Sequence, residues 1–117
     1  MKFIDDFNIE KIHSNDFDSK IRSTSQIIGI FFWGENCPNC EIAKNILSEN
    51  RAEVGQWPLK WYHANIYEDF DLATRFGIFG IPIFIFFKEG KKLGKISPFP
   101  GFDPFDQAIQ KLILGHS

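Results

Sequence analysis

A chain of 117 residues, 44% of them apolar and with a formal net charge of −2, has room for one sizeable core and one domain. That charge leaves no basic stripe for nucleic acid, and no apolar run approaches the roughly 18 residues that cross a bilayer. Fourteen Phe and three Trp against one Met point to a stiff core of rings, packing a sheet against helices.

In chain order, FNIEKI (7–12) reads as an edge strand, and SNDFDSKIRS (14–23) as a short helix with Ser14 or Asn15 as N-cap. QIIGIFFW (26–33) is a nearly continuous apolar run of strand length, as for a strand covered on both faces. A helix follows Pro38, with Ala43, Ile46 and Leu47 on its apolar face and Glu41, Lys44, Asn45 and Ser48 on the other. VGQWP (54–58) is a loop, LKWYHANI (59–66) a third strand, and EDFDLATRF (68–76) a helix that Gly77 ends. IPIFIFFK (81–88) is a fourth strand, KEGKK a hairpin turn and KLGKIS (92–97) its antiparallel return. In DPFDQAIQKLIL (103–114), Asp103 is the expected N-cap, Pro104 the first helical residue and Asp106 a first-turn acid. The order β-α-β-α-β-α-β-β-α predicts an α/β fold, a central mixed sheet with helices on both faces.

Both cysteines lie in FFWGENCPNC, at the junction between a buried strand and a helix. The first helical turn carries N–H groups without intrahelical partners and about half a positive charge, so a thiolate there is stabilised. Lowering a thiol pKa from about 8.5 to about 7 requires about 2 kcal/mol, within reach of a helix terminus and one or two hydrogen bonds. Cys37, at the helix start, is the expected nucleophile. Cys40, one turn deeper, is the expected resolving thiol. Pro38 suits the first turn because its missing N–H has no partner there anyway, and the Asn39 amide is placed to reach the Cys37 sulfur. A metal site is not expected: zinc takes four ligands, and His13, His63 and His116 show no ligand spacing.

These residues carry a resemblance. FFWGENCPNC is similar to the thioredoxin segment Phe-Trp-Ala-x-Trp-Cys-Gly-Pro-Cys, and RFGIFGIPIFIFFKEGK (75–91) resembles the family's Gly-Ile-Pro turn, following strand and hairpin. The resemblance implies a thioredoxin fold as a single domain, 1–117. Trp33 then packs beneath the cysteines and Pro82 is the cis-proline facing them. The backbone of Ile81 pairs with an extended substrate, and Gly101, in the FPGF loop, helps form the substrate groove. Three positions depart from the family pattern. Asn36 replaces a covering Trp, Phe31 replaces the buried Asp that helps move the resolving thiol's proton, and His63 replaces the accompanying Lys. His63 is then either a substitute proton acceptor or a half-buried, hydrogen-bonded strand histidine. Phe79, Phe99 and Phe102 either form an apolar collar for a partner chain or fill core, with Phe79 expected at the surface; Phe84 and Phe86 are expected in the core. Pro38 is similar to glutaredoxins and periplasmic oxidases, whereas Gly80-Ile81-Pro82 is thioredoxin-like.

The expected activity is reduction of protein disulfides by the Cys37–Cys40 dithiol. It needs no metal or organic cofactor, and an upstream reductase recharges it. The chain is expected to be a monomer that neither binds nucleic acid nor inserts into membrane. MKFIDDFNIEKIHS lacks the roughly 7–15-residue apolar stretch of a secretory signal, so the cytoplasm is expected, or the cell envelope if a leader has been removed. Two other readings stay open: a binding or assembly module with little redox activity, and a cell-envelope disulfide oxidase or isomerase.

Overall fold

The computed structural model describes residues 2–116. Its elements are α1 (Lys2–Asp6), β1 (Glu10–Lys11), α2 (Phe17–Ile21), β2 (Ile27–Trp33), α3 (Pro38–Glu49), α4 (Arg51–Val54), β3 (Leu59–Asn65), α5 (Phe70–Arg75), β4 (Ile83–Lys88), β5 (Lys91–Ile96) and α6 (Phe102–His116). The strands form one mixed sheet in the order β1-β3-β2-β4-β5. β1, β3 and β2 run parallel, while β4 and β5 are antiparallel to their neighbours.

The run IIGIFFW forms the centre of this sheet, and all seven residues of β2 are buried. Pleating sends alternate side chains to opposite faces. Ile27, Phe31 and Trp33 join one core with Phe3 of α1, Cys40, Ala43 and Leu47 of α3, and Phe105 and Ile109 of α6. Ile28, Ile30 and Phe32 join the other, with Phe17 and Ile21 of α2 and Leu72 of α5. On the first of these faces Gly29 lies against Trp61 across the β2–β3 ladder, where a β-carbon would lie 2.6 Å from the indole ring. The first core is a chain of rings: Phe3 meets Phe31, Phe31 stacks on Phe84 at 4.9 Å, and Phe84 meets Phe105 at 4.7 Å.

Several local expectations need correction. The chain begins with an unforeseen helix, α1, and only Glu10 and Lys11 of the expected edge strand pair with β3. The second helix is shorter than predicted, and its N-cap is Asp16 rather than Ser14 or Asn15. The last helix starts at Phe102, so Asp103 lies within it; the Gly101 carbonyl, from a residue at φ +95°, accepts the Phe105 N–H at 3.2 Å. Lys44 and Ser48, placed by sequence on the outer face of α3, are buried. The hairpin turn tightens to Glu89 and Gly90, both at positive φ, the geometry of a two-residue β-hairpin.

Candidate active site

β2 ends at Trp33, and a short loop then starts α3. Asn36 occupies the left-handed region at φ +56°, which Asn tolerates better than most residues, and this turn sets Cys37 at the N-cap of α3. Pro38 is the first helical residue and is exposed. Cys37 is partly exposed and Cys40 fully buried, with their α-carbons 5.2 Å apart and their sulfurs joined in a disulfide. The Cys40 backbone N–H donates to the Cys37 sulfur at 3.1 Å. Asn39 is exposed.

The opposite wall comes from the start of β4. The Ile81–Pro82 peptide is cis, and the Ile81 carbonyl oxygen lies 3.8 Å from the Cys37 sulfur. Gly34 sits between Tyr67 and Ile81, where a β-carbon would come within 2.5 Å of the Tyr67 ring. Ser97 donates to the Pro82 carbonyl at 3.0 Å, which ties the end of β5 to this wall. Gly101 is four residues farther along, half-buried, with open space where a side chain would stand. Phe79 is fully exposed just ahead of the Ile81–Pro82 turn, whereas Phe99 and Phe102 are half-buried against the first core. Phe84 and Phe86 are fully buried.

Trp33 belongs to the same core as Cys40, and its indole N–H donates to Nδ1 of His63 at 3.0 Å. Accepting at Nδ1 fixes the neutral His63 tautomer with its proton on Nε2. His63 is buried opposite Phe31, and burial, with lesser repulsion from Lys11 and Lys44, lowers its pKa to about 4. Phe31 fills its position with a ring wholly inside the core. The Lys44 ammonium stands 3.9 Å from the centre of the Trp33 ring and 2.9 Å from a Glu41 carboxylate oxygen. At the loop's outer side, Asn65 donates to Glu35 at 3.2 Å and accepts the Tyr67 N–H at 3.0 Å, which ties β3 to the segment before Cys37.

One core cluster thus holds Trp33 and Cys40 with Cys37 and Ile81 packed against it; Pro82 follows Ile81 across the cis bond, and His63 is reached through Trp33. Among the described residues no group of three His, Cys, Asp or Glu is arranged to hold a metal ion, and no helix is long and apolar enough to cross a membrane.

The thioredoxin family model matches residues 8–111. The chain belongs to the thioredoxin family. The thioredoxin of Staphylococcus aureus is 28% identical over 104 residues, covering 89% of this chain and 94% of that protein. Two solved structures share the fold. Oxidized mitochondrial thioredoxin 3 from Saccharomyces cerevisiae has a TM-score of 0.71 at 21% identity, covering 93% of this chain and 96% of that one. A mutant thioredoxin from Halobacterium salinarum has a TM-score of 0.73 at 14% identity, with 88% of each chain covered. With its bonded CxxC pair, this thioredoxin-family chain is a thiol–disulfide oxidoreductase of α/β thioredoxin fold.

One buried neighbour of Trp33, Lys44, was not foreseen from the sequence. Lys44 follows Cys40 by four residues and precedes Leu47 by three, so all three lie on one arc of α3. That spacing was the available signal; the charge of lysine pointed the other way.

Proposed function

We propose that this chain, as one domain spanning 1–117, reduces disulfides in protein substrates. Cys37 attacks as the thiolate and forms a mixed disulfide; the substrate's S–S bond breaks and its first thiol leaves. Cys40 then loses its proton and attacks Cys37, which restores the Cys37–Cys40 disulfide and releases the second substrate thiol. Two electrons pass to the substrate, and an upstream dithiol reductase returns them, with no metal or organic cofactor.

The observation that carries this reading is the asymmetry of the pair. Cys37 is accessible, caps a twelve-residue helix and receives the Cys40 N–H, while Cys40 is enclosed. A helix N-terminus and a backbone donor both favour the thiolate over the thiol. Ile81, with its carbonyl beside the Cys37 sulfur, supplies backbone to pair with an extended substrate chain, and Pro82 holds that backbone in place. Trp33, Pro38 and Asn39 form the floor and rim, and the Gly101 loop extends the groove. His63 supports the floor as Trp33's acceptor; a site already used at Nδ1 and titrating near pH 4 is a poor base for the Cys40 proton. The protein works as a cytoplasmic monomer, without nucleic acid or membrane insertion.

The test is a Cys40→Ser variant incubated with a disulfide-bonded protein. A mixed disulfide through Cys37 should accumulate, and wild type should reduce insulin with dithiothreitol as donor. Absence of both results refutes the reading. Equilibration with glutathione fixes the direction, since reductases lie near about −270 mV and oxidases near about −120 mV.

A further inference from the structure

We propose that Lys44 tunes the cysteine pair. Its ammonium, buried on the Trp33 ring one helical turn behind Cys40, stabilises the thiolates that form when the disulfide opens. This rests on the thiol–disulfide chemistry above and adds the group that sets its potential.

Lysine is almost never fully buried unless paired, yet Lys44 is 1% exposed. Two contacts hold it there: the Glu41 carboxylate at 2.9 Å and the Trp33 face at 3.9 Å. Helix side chains lean toward the N-terminus, and the bond to Glu41, three residues earlier, draws the ammonium toward the end of α3 that Cys37 caps. Cys40 and Lys44, four residues apart, share a face of the helix.

Opening the disulfide breaks the Sγ–Sγ bond and places two electrons on the sulfurs. One sulfur takes a proton and the other remains a thiolate. During turnover Cys40 releases its proton to solvent before it attacks Cys37. Cys40 is fully buried in the core that holds Phe31, Trp33 and Phe84, and Cys37 packs against that core; rings solvate charge poorly. His63 brings no positive charge near neutral pH, and the Trp33 N–H is committed to it. The other charged groups on the elements packed against α3 are Lys2, Asp5 and Asp6 of α1 and Arg51 and Glu53 of α4; Asp6 already accepts from Ser48, and Arg51, beyond the far end of α3, donates to the Ser48 carbonyl. Glu41, more than half exposed, offsets part of the Lys44 field.

The experiment measures the equilibrium of the Cys37–Cys40 pair with glutathione and the pH profile of Cys37 alkylation. K44M should shift the equilibrium about tenfold toward the disulfide, about 30 mV more reducing, and move the alkylation profile to higher pH. K44R should restore much of the wild-type behaviour. E41Q, on an exposed side chain, should shift both readouts in the opposite direction. A folded K44M with both readouts within twofold of wild type overturns the proposal, as does an E41Q shift in the same direction as K44M; if K44M does not fold, E41Q decides alone. A wild-type pair that fails to equilibrate with glutathione would instead sink the oxidoreductase reading and this inference with it.

Discussion

Trp33 is held by two contacts of opposite character: its N–H points at a neutral imidazole and its face at a cation. The imidazole has a consequence for stability. In the unfolded chain His63 titrates near its ordinary 6.5, whereas burial lowers it to about 4 in the native state. Between those values the unfolded chain binds a proton that the folded one refuses, so acid favours unfolding. The contribution is fully present above about pH 6.5 and is lost as pH falls through about 4, of the order of 3 kcal/mol in all. Urea unfolding from pH 7.5 to 4 should show this decline, and His63→Gln, which keeps an acceptor for Trp33, should flatten it. A wild-type slope unchanged by the substitution would remove His63 as its source.

At the scale of elements, Asp69 joins two of them. One carboxylate oxygen accepts the Leu72 N–H at 3.2 Å and caps α5, while the other accepts the Ser14 N–H at 2.8 Å from the loop before α2. Burial alone would push the Asp69 carboxyl up; the Ser14 and Leu72 donors outweigh it and hold the pKa below the usual value. Asp69→Ala should cost about 1–2 kcal/mol in denaturant unfolding, and Asp69→Asn, which still accepts, clearly less. The far end of α5 closes with Ile78 N–H on the Ala73 carbonyl and Gly77 N–H on Thr74, the paired bonds of a Schellman motif around a glycine at φ +60°. Gly77 made that end legible in the sequence because its signal is local. α1 was not legible: five residues carry little helical signal, and Phe3 finds its place only against Phe31 and Trp61. Lys44 was misread for the same reason, since its partner is a tryptophan on another element. At α6, Asp103 and Pro104 gave familiar start signals, yet the positive φ of Gly101 begins the helix earlier.

For the whole molecule, the all-apolar runs of β2 and β4 announced a sheet covered on both sides, and the two cores bear this out. The cysteines and the Gly-Ile-Pro turn, far apart in sequence, meet because β4 pairs directly with β2, so that Phe32 faces Ile83 beside the site. Pairing of that kind is written in motif and strand order rather than in any single residue. Both sheet edges are guarded: β1 is only two residues long, and β5 carries Lys91, Lys92 and Lys95, which discourage another chain from adding a strand. At the centre, Ile28 to Phe32 are bonded to β3 on one side and β4 on the other, with no exposed residue among them. Deuterium can replace their amide protons only when the sheet itself comes apart, so these should be the slowest-exchanging amides, at a rate set by global unfolding. The amides at the start of α3, a few residues beyond Trp33, lie where the disulfide opens and closes. Reducing the protein should change exchange there by a local factor of its own, while Ile28–Phe32 shift together by the one factor through which opening the disulfide alters global stability, a boundary that hydrogen-exchange spectra of the two redox states would locate to within a loop.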